Sequence, residues 1–183
     1  MSGTSGSYNA VTWLLDRNVD EGRGAKLAFT DTVSELSYGE LQKQSCRVAN
    51  MLRRLGVRRE ERVAMIMLDT VDFPAVFLGA IRAGIVPVPL NTLLTSDQYA
   101  YVLADSRARV LFVSEALYPV VKDIVGRMPD LEHVVVSGSN AFGHKKLSDE
   151  LAKETDSFAT VPTHAEEPAC WLYSSGSTGM PKA

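Results

Sequence analysis

The most constraining stretch of this sequence runs from Arg62 to Leu90. "RVAMIML" (Arg62 to Leu68) is a continuous apolar run, "DTVD" a polar loop, "FPAVFLGAIRAG" (Phe73 to Gly84) an apolar segment of helical length, and "IVPVPL" a second apolar run. A strand that is apolar at every position is buried on both faces. Two such strands joined through a helix run parallel, because only a crossover returns the chain to the same end of a sheet. The small residues Ala75, Gly79, Ala80 and Ala83 predict that the helix lies close on that sheet.

The alternation then repeats. Thr95 and Gln98 form a capping box ahead of "SDQYAYVLADS"; "RVLFV" reads as a buried strand; Ser114 caps "EALYPVVKDIVGRM"; and "HVVVS" is a further strand. Strands and helices in this order predict an α/β fold, a doubly wound, mostly parallel sheet with helices on both faces. Upstream, Leu41, Val48, Leu52 and Leu55 recur at helical spacing from Tyr38 to Leu55, behind a Ser37/Glu40 capping box and ahead of a Gly56 stop. "KLAFTD" and "SELS" predict two short strands joined by a turn, preceded by a helix from about Asn9 to Asn18. Residues 1–8, rich in Gly and Ser, read as a flexible lead-in. From Gly138 to Pro168 the chain turns polar, which predicts a long surface excursion with a short helix from about Leu147 to Lys153. The sheet is expected to resume at "ACWLY".

Charge and cysteine usage remove several function classes. A net charge of -3, from 19 basic and 22 acidic residues spread along the chain, builds no field for nucleic acid or an anionic membrane. The densest basic stretch, Arg53 to Arg62, includes Glu60 and Glu61 and reads as a solvated turn. Cys46 and Cys170 lie in no metal-type spacing, and His133, His144 and His164 are isolated, so no metal site is predicted. There is no secretory signal and no apolar run approaching the roughly 20 residues of a membrane span, so a cytoplasmic location is expected. At 183 residues the chain fits one sizeable core.

Three places invite a site. Asp69 and Asp72 flank the loop after a core strand, where open parallel sheets put ligands. As a pair they could hold a metal or act as acid and base; the plainer reading makes Asp72 a helix cap and Asp69 a turn residue. Asn91 and Thr92 read as turn chemistry, and Tyr99 and Tyr101, two apart on a helix, as one core and one surface residue. The third place is "SSGSTGMPK" after "ACWLY". Glycine-permitted backbone N–H groups, hydroxyls and an ammonium are what phosphate oxygens attract. It is neither a Walker A loop nor a Rossmann fingerprint, and residue types alone leave phosphate binding and a flexible Ser/Gly tail both open.

"YSSGSTGMPKA" resembles the phosphate-loop signature of the acyl-adenylate-forming (AMP-binding) superfamily, an aromatic residue, Thr or Ser, then S-G-[ST]-T-G-x-P-K-G. Ten of its eleven positions fit, and Ala183 stands where that family has Gly. "SYGELQKQSCRVANMLRRLGV" and "FLGAIRAGIVPVPLNTLLT" follow in the expected order, so the resemblance covers the chain from about Thr12. "VPLNTLLTSDQYAYVLADSRA" and "WLYSSGSTG" are most similar to benzoate and hydroxybenzoate CoA ligases. The resemblance implies an incomplete N-terminal AMP-binding domain that ends inside its phosphate loop. Ser174, Ser175, Gly176, Ser177, Thr178, Gly179 and Lys182 would bind the ATP phosphates. It further implies ATP, Mg²⁺ and CoA as substrates or cofactors, a small aromatic carboxylate as the acid, and an acyl adenylate as the intermediate. The acyl pocket, the adenine contacts and the catalytic lysine of that family would lie beyond Ala183, so the chain alone is expected to be inactive. The alternatives are a fatty-acyl CoA ligase or carrier-loading adenylation domain and, in a different class, a small binding module with a flexible tail.

Overall fold

The computed structural model describes residues 8–175 and 181–182. The β-α-β unit forms as its apolar runs require: β3 (Arg62–Ile66), α2 (Asp72–Arg82) and β4 (Val86–Pro89), followed by α3 (Ser96–Ser106), β5 (Val110–Ser114) and β6 (His133–Ser137). With β7 (Lys145–Lys146) these strands make one sheet in the order β4-β3-β5-β6-β7, every neighbour parallel. Alternate residues feed opposite faces. Val63, Met65, Val110, Phe112 and Val135 pack beneath α1 (Tyr38–Arg54), α2 and α5 (Leu147–Leu151). Ala64, Ile66, Leu111, Val113 and Val136 face Tyr99, Val102 and Leu103 of α3 and Val121 of a short helix, α4 (Tyr118–Val121). The sheet is thus doubly wound, as expected, and no described helix is long and apolar enough to cross a membrane.

Local signals place the helix ends. Ser37 Oγ accepts from Glu40 N–H while the Glu40 carboxylate accepts from Ser37 N–H, and Thr95 and Gln98 repeat the arrangement at α3. Gly56, at φ 81°, turns the chain out of α1. The hairpin β1 (Leu27–Thr30) and β2 (Glu35–Ser37) is antiparallel. The N-terminal helix runs further than the sequence suggests: wide π-type turns span Thr12–Asp16 and Val19–Arg23.

Four expectations need correction. Gly79 does not serve contact with the sheet. A Cβ there would lie 2.5 Å from Val48 Cβ and 2.8 Å from Ser45 O, so it lets α2 meet α1. Asp72 is not the cap of α2. The cap residue is Val71, and its N–H is taken by Asp31 Oδ2 from the β1–β2 turn at 2.9 Å. Ser114 stands at the cap position of only a short 3-10 turn, Glu115–Leu117, and gives it no side-chain capping bond. Its Oγ accepts from Leu68 N–H at 2.9 Å, and the segment after it breaks into Glu115–Leu117, α4 and Val125–Arg127 around Pro119. Finally, "ACWLY" forms no strand. Val86 and Leu90 send their N–H groups to Glu61 O and Met65 O, so alternation turns Pro87 and Pro89 to the outer edge of β4. Neither proline has an N–H to offer, and among the described residues the only backbone bond on that outer edge is Trp171 N–H to Pro87 O at 3.1 Å.

Residues 138–168 are bound along α1 and the turn after it. Leu147 and Leu151 enter the core beneath the sheet, Arg54 pairs with Glu150 and Glu154, and Arg59 pairs with Glu167. The Arg53 guanidinium sits 4.5 Å from the Phe158 ring. The basic stretch is answered by this segment's own carboxylates. Beneath it Arg82, only 3% exposed, bonds Asp16 Oδ1 at 2.6 Å, Ser45 Oγ at 3.0 Å and Thr160 Oγ1 at 2.9 Å. One guanidinium therefore joins the N-terminal helix, α1, α2 and the excursion.

Candidate functional site

Past Cys170 the chain runs as an extended strap beside β4. Trp171 and Tyr173 are half-buried against the α3 side of the sheet, while Leu172 between them turns out to solvent. The strap leads into an antiparallel hairpin of β8 (Ser174–Ser175) and β9 (Pro181–Lys182), in which Ser174 lies opposite Lys182 and Ser175 opposite Pro181. Ser174 Oγ reaches Lys182 O at 3.4 Å. Of the residues expected to bind phosphate, Ser174, Ser175 and Lys182 are brought together here. Gly176, Ser177, Thr178 and Gly179 lie outside the described residues, as does Ala183. Closing a loop with paired arms sends hydroxyl-bearing and ammonium-bearing residues out side by side, which suits a polyanion.

The strap is fixed by contacts that the sequence does not announce. Tyr173 Oη donates to Asp105 Oδ2 in the last turn of α3 at 2.5 Å. Burial, and then this bond to a carboxylate, pushes the Tyr173 hydroxyl far above the ordinary phenol range, so it stays a donor. Arg62 stands 5.3 Å over the Trp171 ring and donates through Nε to Ser106 O at 2.6 Å. β3, the end of α3 and the strap thus meet at one corner.

At the C-terminal ends of β3 and β4 lies a crevice of about 330 Å³, lined by Met67, Asp69, Phe73, Asn91 and Leu172 among others. The junction of β3 with β5, where the chain reverses its direction across the sheet, is stitched by the Leu68–Ser114 bond. Asp69 and Asp72 do not form a pair. Asp69 faces the crevice, whereas Asp72 accepts from Ser137 Oγ at 2.5 Å and lines a separate cleft beside Gln44 and Arg47. Asn91 is turn chemistry, its Oδ1 accepting from Leu93 N–H and its carbonyl from Tyr99 Oη. Tyr99 is buried and Tyr101 exposed, as their spacing implied.

No three His, Cys, Asp or Glu side chains gather into a metal-binding group among the described residues. His133 contacts Leu55 O, and His144 meets Tyr118 Oη at 2.8 Å. Cys46 is buried, and burial pushes its thiol up; Cys170 is half-buried and also free.

Against known proteins, the model of the family described as "AMP-binding enzyme" matches residues 15–183. A 4-hydroxybenzoate–CoA/benzoate–CoA ligase of Rhodopseudomonas palustris is 51% identical over 175 residues, covering 96% of this chain and 32% of that protein. A benzoate–CoA ligase of Thauera aromatica is 44% identical over 96% of this chain and 33% of its own length. The chain therefore spans about a third of the length of the curated relatives it matches. Among solved structures, an anthranilate CoA ligase, AuaEII, in complex with anthranoyl-AMP superposes with a TM-score of 0.89 at 35% identity. That match covers 96% of this chain and 33% of the other. A benzoate CoA ligase from Burkholderia xenovorans LB400 gives 0.83 at 36% identity, over 91% and 32%.

Proposed function

The chain belongs to the AMP-binding enzyme family, and on that premise we propose that it supplies the phosphate loop of an ATP-dependent aryl-carboxylate CoA ligase acting on benzoate or a hydroxybenzoate. The reaction has two steps. A carboxylate oxygen attacks the α-phosphorus of ATP, giving an aryl adenylate and releasing pyrophosphate; the thiol of CoA then attacks the acyl carbon, forming a thioester and releasing AMP. A carboxylate is a poor electrophile, and adenylation supplies it with a leaving group.

In this reading Ser174, Ser175, Gly176, Ser177, Thr178, Gly179 and Lys182 hold the β- and γ-phosphates. Their hydroxyls and backbone N–H groups donate to the departing pyrophosphate, and the ammonium of Lys182 offsets its charge, a stabilisation that grows as the bond to the α-phosphate breaks. The glycines permit close backbone approach, and Pro181 stiffens the exit toward Lys182. Mg²⁺ would accompany ATP and screen the charge of its phosphates.

The observation that carries the reading is the identity to the hydroxybenzoate/benzoate ligase along nearly the whole chain. Support for the intermediate comes from the acyl adenylate held by a close structural neighbour. The test is pyrophosphate release by the full-length protein with ATP, CoA and a panel of acids. Benzoates are expected to exceed aliphatic acids in kcat/KM by at least about a hundredfold, the discrimination open to a shaped pocket. Because the chain covers about a third of its relatives, residues 1–183 alone are expected to give no turnover. Preference for a fatty acid, or full activity of the 183-residue chain, would sink the proposal.

A further inference from the structure

We propose that Asp105 is a positioning residue for ATP, holding Tyr173 so that the chain enters the phosphate loop in one direction; the inference rests on the ligase reading above. Tyr173 immediately precedes Ser174, the first residue of the hairpin. The hairpin's ladder joins only its own two arms, Ser174 to Lys182 and Ser175 to Pro181. Among the described residues, the Tyr173–Asp105 bond is the last hydrogen bond to another element before the loop begins. Whatever fixes that side chain fixes the origin of the loop.

The position of Asp105 is not explained by the stability of α3. It lies in the last turn of that helix, which has no basic residue there. A carboxylate at a helix C-terminus faces the negative end of the dipole and is unfavourable. The residue is exposed, so it contributes no core packing either. Among the described residues, its one hydrogen bond between side chains is the one to Tyr173, short and charge-assisted. Arg62 supports the same corner from below: it donates to Ser106 O, the residue after Asp105, and stands over the Trp171 ring two residues before Tyr173. α3 therefore acts as a fixed post. The strap leans on Arg62 of β3 through the ring at Trp171 and is tied to α3 by the hydroxyl at Tyr173.

Phosphate recognition by backbone N–H groups depends on direction. A displacement of about 1 Å at the reacting centre can cost up to about a hundredfold in rate, and an error at the root of a hairpin carries to its tip. Loss of the Tyr173–Asp105 bond should therefore be felt in ATP and not in the aryl acid.

Pyrophosphate release by the full-length protein, with ATP and benzoate each varied, tests this in Asp105→Ala, Asp105→Asn, Tyr173→Phe and the double variant Asp105→Ala/Tyr173→Phe. Both single removals are expected to raise KM for ATP about tenfold, the 1.4 kcal/mol scale of one such bond. KM for benzoate and the thermal midpoint should stay at parental values. The double variant should match the singles, because both remove the same bond, and Asp105→Asn, whose amide oxygen still accepts from the phenol, should stay within about twofold of the parent. An unchanged KM for ATP in Tyr173→Phe overturns the inference. So does a shift of both KM values together with the midpoint, which marks a contact that only stabilises the fold. Should Asp105→Ala fail to fold, Tyr173→Phe, which keeps the ring, decides alone. A parent that releases no pyrophosphate overturns the ligase reading and this inference with it; an active parent with unchanged variants overturns the inference only.

Discussion

Gly79 lets α1 and α2 approach closely, and one methyl group measures how close. With Val48 Cβ 2.5 Å from where its Cβ would lie and Ser45 O at 2.8 Å, neither a β-branched side chain nor a helical carbonyl can give way cheaply. Gly79→Ala is expected to lower stability by about 1–3 kcal/mol despite the better helix propensity of alanine. Urea unfolding followed by circular dichroism reads this directly; a change of sign would mean that the two helices separate freely. A glycine in an apolar helix is visible in the sequence, but its partner is not, which is why it could be assigned to the wrong neighbour. The same holds for Arg82, whose Asp16 partner is 66 residues away, and for Asp105, which is 68 from Tyr173. A buried arginine and an end-of-helix aspartate are legible as anomalies, and only the fold says what they answer.

Elements were most readable where a local hydrogen-bond pattern specifies them. The capping boxes at Ser37 and Thr95 each use residues three apart, so α1 and α3 begin where the sequence puts them. β7 was hidden because "KK" has no apolar pattern, although Leu147 and Leu151, spaced for one helix face, were a usable sign that the polar region dips into the core. The start of α2 depends on a distant residue. Asp31 accepts from Val71, Val33 and Ser34 N–H groups, and these bonds, led by Val71, hold its carboxyl below the usual range. A depressed carboxylate adds stability that is fully present above its unfolded pKa, about 4, and lost as pH falls through the folded value. The stability gap between parent and Asp31→Ala should therefore narrow as pH is lowered from about 6 to about 3. A gap that stays constant would show that the charge contributes nothing to seating α2.

The arrangement of the whole molecule was legible in outline because parallel pairing leaves so few choices once two buried strands flank a helix. The phosphate loop was recognisable as a string of residue types, while its mounting on α3 was not, since no local pattern encodes it. One feature of the sheet also bears on behaviour at high concentration. An outer strand with open N–H and C=O groups is a template for other chains, the route to fibres and precipitates. In β4 the outward positions are Pro87 and Pro89, which can accept hydrogen bonds but donate none. Replacing both with valine should turn this edge into a place where copies of the protein add strand to strand, visible as light scattering that grows with concentration. The two prolines that keep the strap from joining the sheet would, on this view, be the same two that keep one molecule from joining the next.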